Sequence, residues 1–288
     1  DGTSEVVAEF ARAYPNVVRH VLEPVNTWPR RKPTEAMTAL AQGRFIALCE
    51  GDDYWIDPQK VQAQVTTLER DPGVALSYHD ALVIADATIL QLFLLPPDAQ
   101  RDLPSTTLLR GPRIPTASMM YRNVIAPAPE YTANILNGDI FLAARLGMLG
   151  SAHYEDALLP AVYRRHSGGA HSLQDARTNA LNNANSAAWM ALFFRQQGAT
   201  GLSRYYLRRA GATVATSQRL SGVDVRLSLA ADLAYSALRD TVSTALRERS
   251  PSVHKYFSAA RRKALHYLRV ARTQEGRNTQ RRDGPPGG

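Results

Sequence analysis

Three carboxylates stand within four positions, Glu50, Asp52 and Asp53, directly after the apolar run Arg44-Phe-Ile-Ala-Leu-Cys49. Carboxylates so close repel one another unless a cation or hydrogen-bond donors offset the charge. All-oxygen ligands of this kind suit Mg²⁺ or Mn²⁺. The plainer account is a solvated acidic turn ahead of a helix, with Asp57 as N-cap and Pro58 at the first helical position. Two further places carry chemistry-bearing residues: Asp139 follows Gly138, and His166 lies in Arg164-Arg-His-Ser-Gly-Gly169. An isolated carboxylate can take a proton from an attacking hydroxyl. A bound cation stabilises a leaving diphosphate as a Lewis acid, and a neutral imidazole completes a coordination shell. Taken singly, Asp139 suits a helix cap better than a base, and His166 equally suits an ordinary surface position.

The elements that would hold these residues follow from periodicity. Val6, Val7, Phe10 and Ala13 share a helical face after the turn Asp1-Gly-Thr-Ser4. Val17 to Leu22 reads as a strand, followed by a basic loop with Arg30, Arg31 and Lys32. A helix runs from Glu35 to Gln42, a buried strand from Arg44 to Cys49, and a helix from Pro58 to Arg70. Val74 to Tyr78 is a second buried strand, continuing irregularly through Ile84. Alternating helices and strands predict an α/β sandwich with a largely parallel sheet. Residues 85–118 hold five prolines and little periodicity. Ser118 to Arg122 and Ala157 to Tyr163 are strand candidates, and Ile135 to Leu149 a helix interrupted near Gly147. The knot His153, Glu155, Asp156 reads as a loop, and His79-Asp80 as a minor acceptor-site candidate. From Leu173 to Arg272 the pattern is helical, broken at Gly198–Gly201 and Ser250–Ser252. Thr273 to Gly288 is polar and Gly/Pro-rich, the composition of a disordered tail.

Bulk properties narrow the classes. The single cysteine, Cys49, excludes a disulfide framework within the chain and fits a reducing compartment; at a strand end it is expected to be buried and inert. No apolar run approaches the roughly 18–20 residues of a spanning helix. The formal charge is +8, but Lys255 to Gly288 carries nine basic and two acidic residues, so the body is nearly neutral. In that segment Tyr256, Phe257, Ala260, Ala264, Tyr267 and Leu268 share a face flanked by Arg261, Arg262, Lys263 and Arg269. A basic amphipathic helix of this kind fits an anionic lipid surface. No nucleic-acid module is present, so nucleic acid is not an expected partner.

Arg44-Phe-Ile-Ala-Leu-Cys-Glu-Gly-Asp-Asp-Tyr-Trp-Ile-Asp-Pro-Gln-Lys60 resembles the donor-binding segment of family 2 glycosyltransferases. Gly138-Asp139 and Tyr163-Arg-Arg-His-Ser-Gly-Gly169 follow in that family's order, and Pro115–Arg122 is similar to its middle segment. Asp1-Gly-Thr-Ser4 is similar to the end of its acidic turn. The resemblance implies a GT-A-like (Rossmann-like) α/β/α sandwich over residues 1–172, with a mixed, mostly parallel sheet. A helical region (173–272) and a basic tail (273–288) follow. It implies inverting transfer of a sugar from a nucleoside diphosphate sugar to a glycan, lipid-linked or other hydroxyl acceptor. Asp139 would be the base, Asp52 and His166 the ligands of Mg²⁺ or Mn²⁺, and Glu50, Asp53, Trp55 and Arg164 contacts to the donor. Glu50 departs from the family's Asp but keeps the charge. The family's first strand and a base-contacting acidic residue precede the segment matched by Asp1, so the donor half-site is expected to be incomplete in this chain. The expected setting is the cytoplasm, at the inner face of the membrane. The same acid cluster also suits a metal-dependent nucleotide-sugar hydrolase or nucleotidyltransferase. A binding or scaffold protein without turnover would need only the fold.

Overall fold

A computed structural model describes residues 2–21, 33–86, 88–166 and 175–221. Helices α1 (Thr3–Ala13) and α2 (Pro33–Leu40) lead to strand β1 (Phe45–Ala47) and helix α3 (Lys60–Arg70). Strands β2 (Val74–Tyr78), β3 (Ala81–Ala85) and β4 (Thr88–Gln91) follow. After the short helix α4 (Ser105–Leu108) come β5 (Met120–Arg122), α5 (Gly138–Leu146), β6 (Ser151–Tyr154) and β7 (Ala161–Arg164). Helices α6 (Ala176–Gln196) and α7 (Thr200–Ser221) close the described chain.

The strands form two sheets, ordered β1-β5-β2-β6 and β4-β3-β7. The α/β class expected from the sequence is present, but the largely parallel sheet is not. Pairs β1–β5, β2–β5 and β3–β4 are antiparallel, and only β2–β6 and β3–β7 run parallel. The physical reason lies in the connections. A parallel pair needs a crossover after each strand, and the helix–strand alternation stops at Tyr78. Only His79 and Asp80 separate β2 from β3, so the chain steps straight from one sheet into the other. The proline-rich stretch then returns β5 between β1 and β2 from the opposite direction.

Other expectations shift at their edges. Val17 to Val21 form no strand, and Val17 is 81% exposed. The helix expected from Ile135 begins only at Gly138, after a 3-10 turn at Glu130–Asn134. His153, expected in a loop, lies on β6.

The core sits around β2, all five residues of which are buried. Leu76, Tyr78, Leu103, Leu108, Met119, Tyr121 and Leu146 make one cluster, each such side chain stabilising the fold by about 1.5–3 kcal/mol when fully buried. The Tyr78 hydroxyl lies 2.8 Å from the Ala99 carbonyl and 2.6 Å from that of Arg101, which pins the proline-rich segment onto the core. At the start of β6 the backbone passes close to Gly73: a Cβ on Gly150 would lie 2.2 Å from the Gly73 carbonyl oxygen. Only glycine at 150 permits that approach, which sets the β2–β6 register.

Helices α6 and α7 form an antiparallel hairpin turned at Gly198, whose φ of 75° suits glycine. Asp175 caps α6 by accepting from the Thr178 backbone N–H at 2.8 Å. The edge-to-face contact Phe141–Phe193 ties this hairpin to α5, and the stack Phe194–Tyr206 ties it to itself. Among the described residues, no helix is long and apolar enough to cross a membrane. The basic loop Arg30–Lys32, Ser167 to Gly169 and the basic amphipathic segment after Lys255 lie outside the described residues.

Candidate functional site

Strand β1 delivers its chain end to a tight turn. The Leu48 N–H bonds the Met119 carbonyl at 3.1 Å, and the Asp53 N–H closes back on the Glu50 carbonyl at 3.0 Å. Tyr54 then joins the other sheet: it exchanges backbone hydrogen bonds of 3.2 and 2.9 Å with Val162 of β7. This bridge brings the end of β7 against the turn. The Arg164 backbone N–H donates to Asp53 Oδ1 at 3.1 Å, and its Nε donates to the Asp52 carbonyl at 2.6 Å. His166 Nε2 lies 3.1 Å from Asp52 Oδ2. Asp52, Asp53, Arg164 and His166, separated by over a hundred residues, are therefore one hydrogen-bonded group.

From α5, Asp139 lies near enough to the acid turn for its charge to act on Glu50. It stands in the first turn of that helix, where the macrodipole favours a negative charge. Asn137 occupies the N-cap without a side-chain cap bond, and the Ser186 hydroxyl of α6 binds the Asn137 side chain at 2.8 Å and accepts from its backbone N–H at 3.1 Å. The α6 helix thus fixes where α5 begins, and Asp139 is not its N-cap. Asp139 repels the Glu50 carboxylate, as Asp53 and Asp52 do.

That crowding is visible in the electrostatics. The Glu50 pKa is pushed up to about 7, first by the density of protein around its carboxylate and then by Asp53, Asp52 and Asp139; a Thr116 hydroxyl bond opposes the rise. Glu50 nevertheless keeps an exposed surface. Asp53 is raised to about 6 by burial and by Asp52, against the opposing pull of Arg164 and His166. Cys49, expected to be buried, is exposed because β1 ends two residues earlier. Burial of part of the thiol and the nearby carboxylates raise its pKa, which keeps it protonated and unreactive.

The neighbouring residues are mostly structural. Trp55 donates from Nε1 to the Ala117 carbonyl at 2.7 Å, and the Lys60 ammonium lies 4.2 Å from its ring centroid. Trp55 also packs against the small cluster Ala81, Ala117 and Ala161. Asp57 accepts from the backbone N–H groups of Gln59 at 2.8 Å and Leu159 at 2.9 Å, which hold its carboxyl low. Helix α3 starts at Lys60 with Gln59 at its N-cap, two residues later than the cap expected at Asp57, which instead braces the turn before the helix.

The acceptor-site candidate His79-Asp80 is corrected: the two residues are 1% and 4% exposed. Asp80 accepts from the backbone N–H groups of Ala81, Leu94 and Leu95 and from the Gln100 amide. His79 Nδ1 lies 2.9 Å from the Asp80 carbonyl, and burial lowers its pKa to about 4. Neither side chain can meet an acceptor from solvent. Thr116 and Lys60 were missed as neighbours of the acid turn. A hydroxyl or amine reaching across from another element leaves no local spacing signal, and Thr116 lies moreover in the stretch with little periodicity.

Among the described residues, no three His, Cys, Asp or Glu side chains converge into a ready-made metal cage. A hard cation does not require one: Mg²⁺ is usually held by one or two carboxylates with phosphate oxygens and water filling the other positions. Asp52 and His166 supply one carboxylate and one imidazole at adjoining positions, a donor pair compatible with Mn²⁺. Their mutual 3.1 Å hydrogen bond would be exchanged for the cation.

No family model matches the chain. Uncharacterized proteins of Mycobacterium bovis and of two Mycobacterium tuberculosis strains are each 35% identical to it over 175 residues, which is 59% of this chain and 48% of theirs. The chain spans about half the length of these curated relatives.

Proposed function

We propose that the chain carries part of an inverting, metal-assisted glycosyltransferase acting on a nucleoside diphosphate sugar. The supporting observation is the arrival of Asp139 from α5 at the Glu50–Asp53 turn, whose far side is held by Arg164 and His166 from β7. These segments resemble, in order, the motifs of family 2 glycosyltransferases. In the reaction proposed, an acceptor hydroxyl forms a bond to the anomeric carbon as the bond to the diphosphate oxygen breaks. The proton passes to the Asp139 carboxylate and the nucleoside diphosphate leaves with the bonding pair. Attack from the face opposite the leaving group inverts the configuration.

Asp52 and His166 would hold the divalent cation, which supplies charge neutralisation at the diphosphate. Arg164 adds a fixed positive charge beside them. Asp53 braces the end of β7, and Glu50 adds its charge to the acid turn. Trp55, with one face occupied by Lys60, offers the rest of its ring as a wall for the donor.

The test is a panel of nucleoside diphosphate sugars with Mn²⁺ and hydroxyl acceptors, using the longest natural chain that contains these residues. Acceptor-dependent release of nucleoside diphosphate is expected, and an inverted linkage in the product. Free sugar or nucleoside monophosphate released without acceptor would instead identify a hydrolase or nucleotidyltransferase. Nucleotide binding without turnover would identify a binding protein.

A further inference from the structure

The α6–α7 hairpin has an uneven charge. From Ala176 to Ser221 there is no Asp or Glu, whereas Arg177, Arg195, Arg204, Arg208, Arg209 and Arg219 are present. At the chain's average of 26 acids in 288 residues, about four would fall in such a stretch. The fold adds to this excess. Arg209 Nη1 donates to the Arg110 carbonyl at 2.9 Å, docking the loop after α4 against α7. The Arg110 guanidinium then lies 5.8 Å from the Tyr205 ring centroid. Arg113, on the same loop, reaches Asn183 of α6 at 3.4 Å. Arginines from the loop and from the helices therefore share one region.

Arg204 and Arg208, one turn apart on α7, are exposed, as are Arg110 and Arg113. Between the two helical arginines Leu207 is 50% exposed, and beyond them Gly211 has open space where a side chain would stand. Two guanidinium groups on successive turns, with an uncovered aliphatic side chain on one flank and open space at Gly211, match an anionic bilayer interface. Headgroup phosphates take the charge and the acyl boundary takes Leu207. A nucleic-acid backbone would use the arginines but leave the leucine in water.

We propose that the exposed face of α7, centred on Arg204, Leu207 and Arg208, docks the protein on anionic membrane lipid. The inference stands apart from the proposed transfer reaction. Its location also differs from the basic segment after Lys255 that the sequence singled out.

The experiment is co-sedimentation of the full chain with vesicles of phosphatidylcholine containing about one-third phosphatidylglycerol, with pure phosphatidylcholine vesicles and a duplex DNA as the other arms. Binding to the anionic vesicles alone is expected. The variant R204Q/R208Q should bind about 25-fold more weakly, since each arginine near an anionic surface contributes about fivefold. L207Q should weaken binding while leaving its salt dependence intact. Both substitutions are on an exposed face, and an unchanged circular dichroism spectrum and melting temperature would verify folding. Equal binding by R204Q/R208Q and the parent would assign the contact to another part of the chain and overturn the proposal. Retention on neutral vesicles, or on DNA alone, would overturn it as well.

Discussion

Asp53 and Asp80 both follow strands of the central sheets, yet their surroundings are opposite. Three backbone N–H groups converge on one Asp80 oxygen, at 2.7, 2.8 and 2.9 Å, and the Gln100 amide meets the other at 3.0 Å. Among the described residues, Asp53 has one backbone donor, from Arg164, and faces Asp52 and Glu50. A carboxylate saturated with donors is a structural knot: it organises the turn between β2 and β3 and the return of the chain at Leu94. Carboxylates short of donors and pressed together hold unspent affinity for positive charge. Acidic residues at strand ends are thus separated by their donors into saturated and crowded ones, a distinction that residue type alone does not carry.

The sharpest way to break this comparison is to remove the carboxylate assigned to chemistry. Asp139→Asn should lower transfer by about 10²–10⁴-fold, the usual contribution of a positioned general base, with unchanged thermal unfolding and unchanged donor binding by calorimetry. Undiminished turnover would move the base elsewhere. On the framework side, Asp80→Ala orphans four donors in the interior. Urea unfolding should show a loss of at least about 3 kcal/mol, because hydrogen bonds to a charged group contribute about 1.5–3 kcal/mol each and buried donors left unpaired add their own cost. Asp80→Asn, which keeps one oxygen acceptor, should cost less. A similar loss from Asp53→Ala would erase the distinction.

The third test is pH. Glu50 and Asp53 have folded-state values raised to about 7 and about 6. The folded chain therefore holds protons that the unfolded chain has already released between about pH 4 and 7. Stability from these groups falls as pH rises through that window, and acidification from pH 7.5 to 5.5 should raise the melting temperature on their account. Glu50→Gln should flatten the dependence; an equally steep profile would place the crowding elsewhere. The smallest effect is expected from Trp55→Phe. Loss of the bond to the Ala117 carbonyl should cost about 1 kcal/mol. An accompanying rise in the donor KM would show that the ring also contacts the sugar, and an unchanged KM would assign it to packing alone.

The sequence carried much of the site and less of the sheet. The acid turn after β1, Asp139 at the start of α5 and His166 after β7 were legible because each sits at a junction between elements, where type and order survive without knowledge of the third dimension. The two sheets were not legible. Val74 to Ile84 is one apolar run, and nothing local reveals that His79 and Asp80 carry the chain from one sheet to the other. Nor does the apolar composition of Met120–Arg122 reveal its direction, which is set by the proline-rich route leading to it. Lys60 shows the same limit: its burial against Trp55 and its 2.7 Å bond to Gln64 turn a residue that composition assigns to the surface into part of the interior.

The backbone bridge between Tyr54 and Val162 gives the acid turn a mechanical character. The turn leaves one sheet at Ala47 and is fastened to the other at Tyr54, so it acts as a strap across the seam. Sliding of β7 relative to β1 would be converted, over a few residues, into a change in the spacing of Glu50 from Asp53. Charge repulsion within the strap and the alignment of the two sheets are thereby joined in one short span of chain.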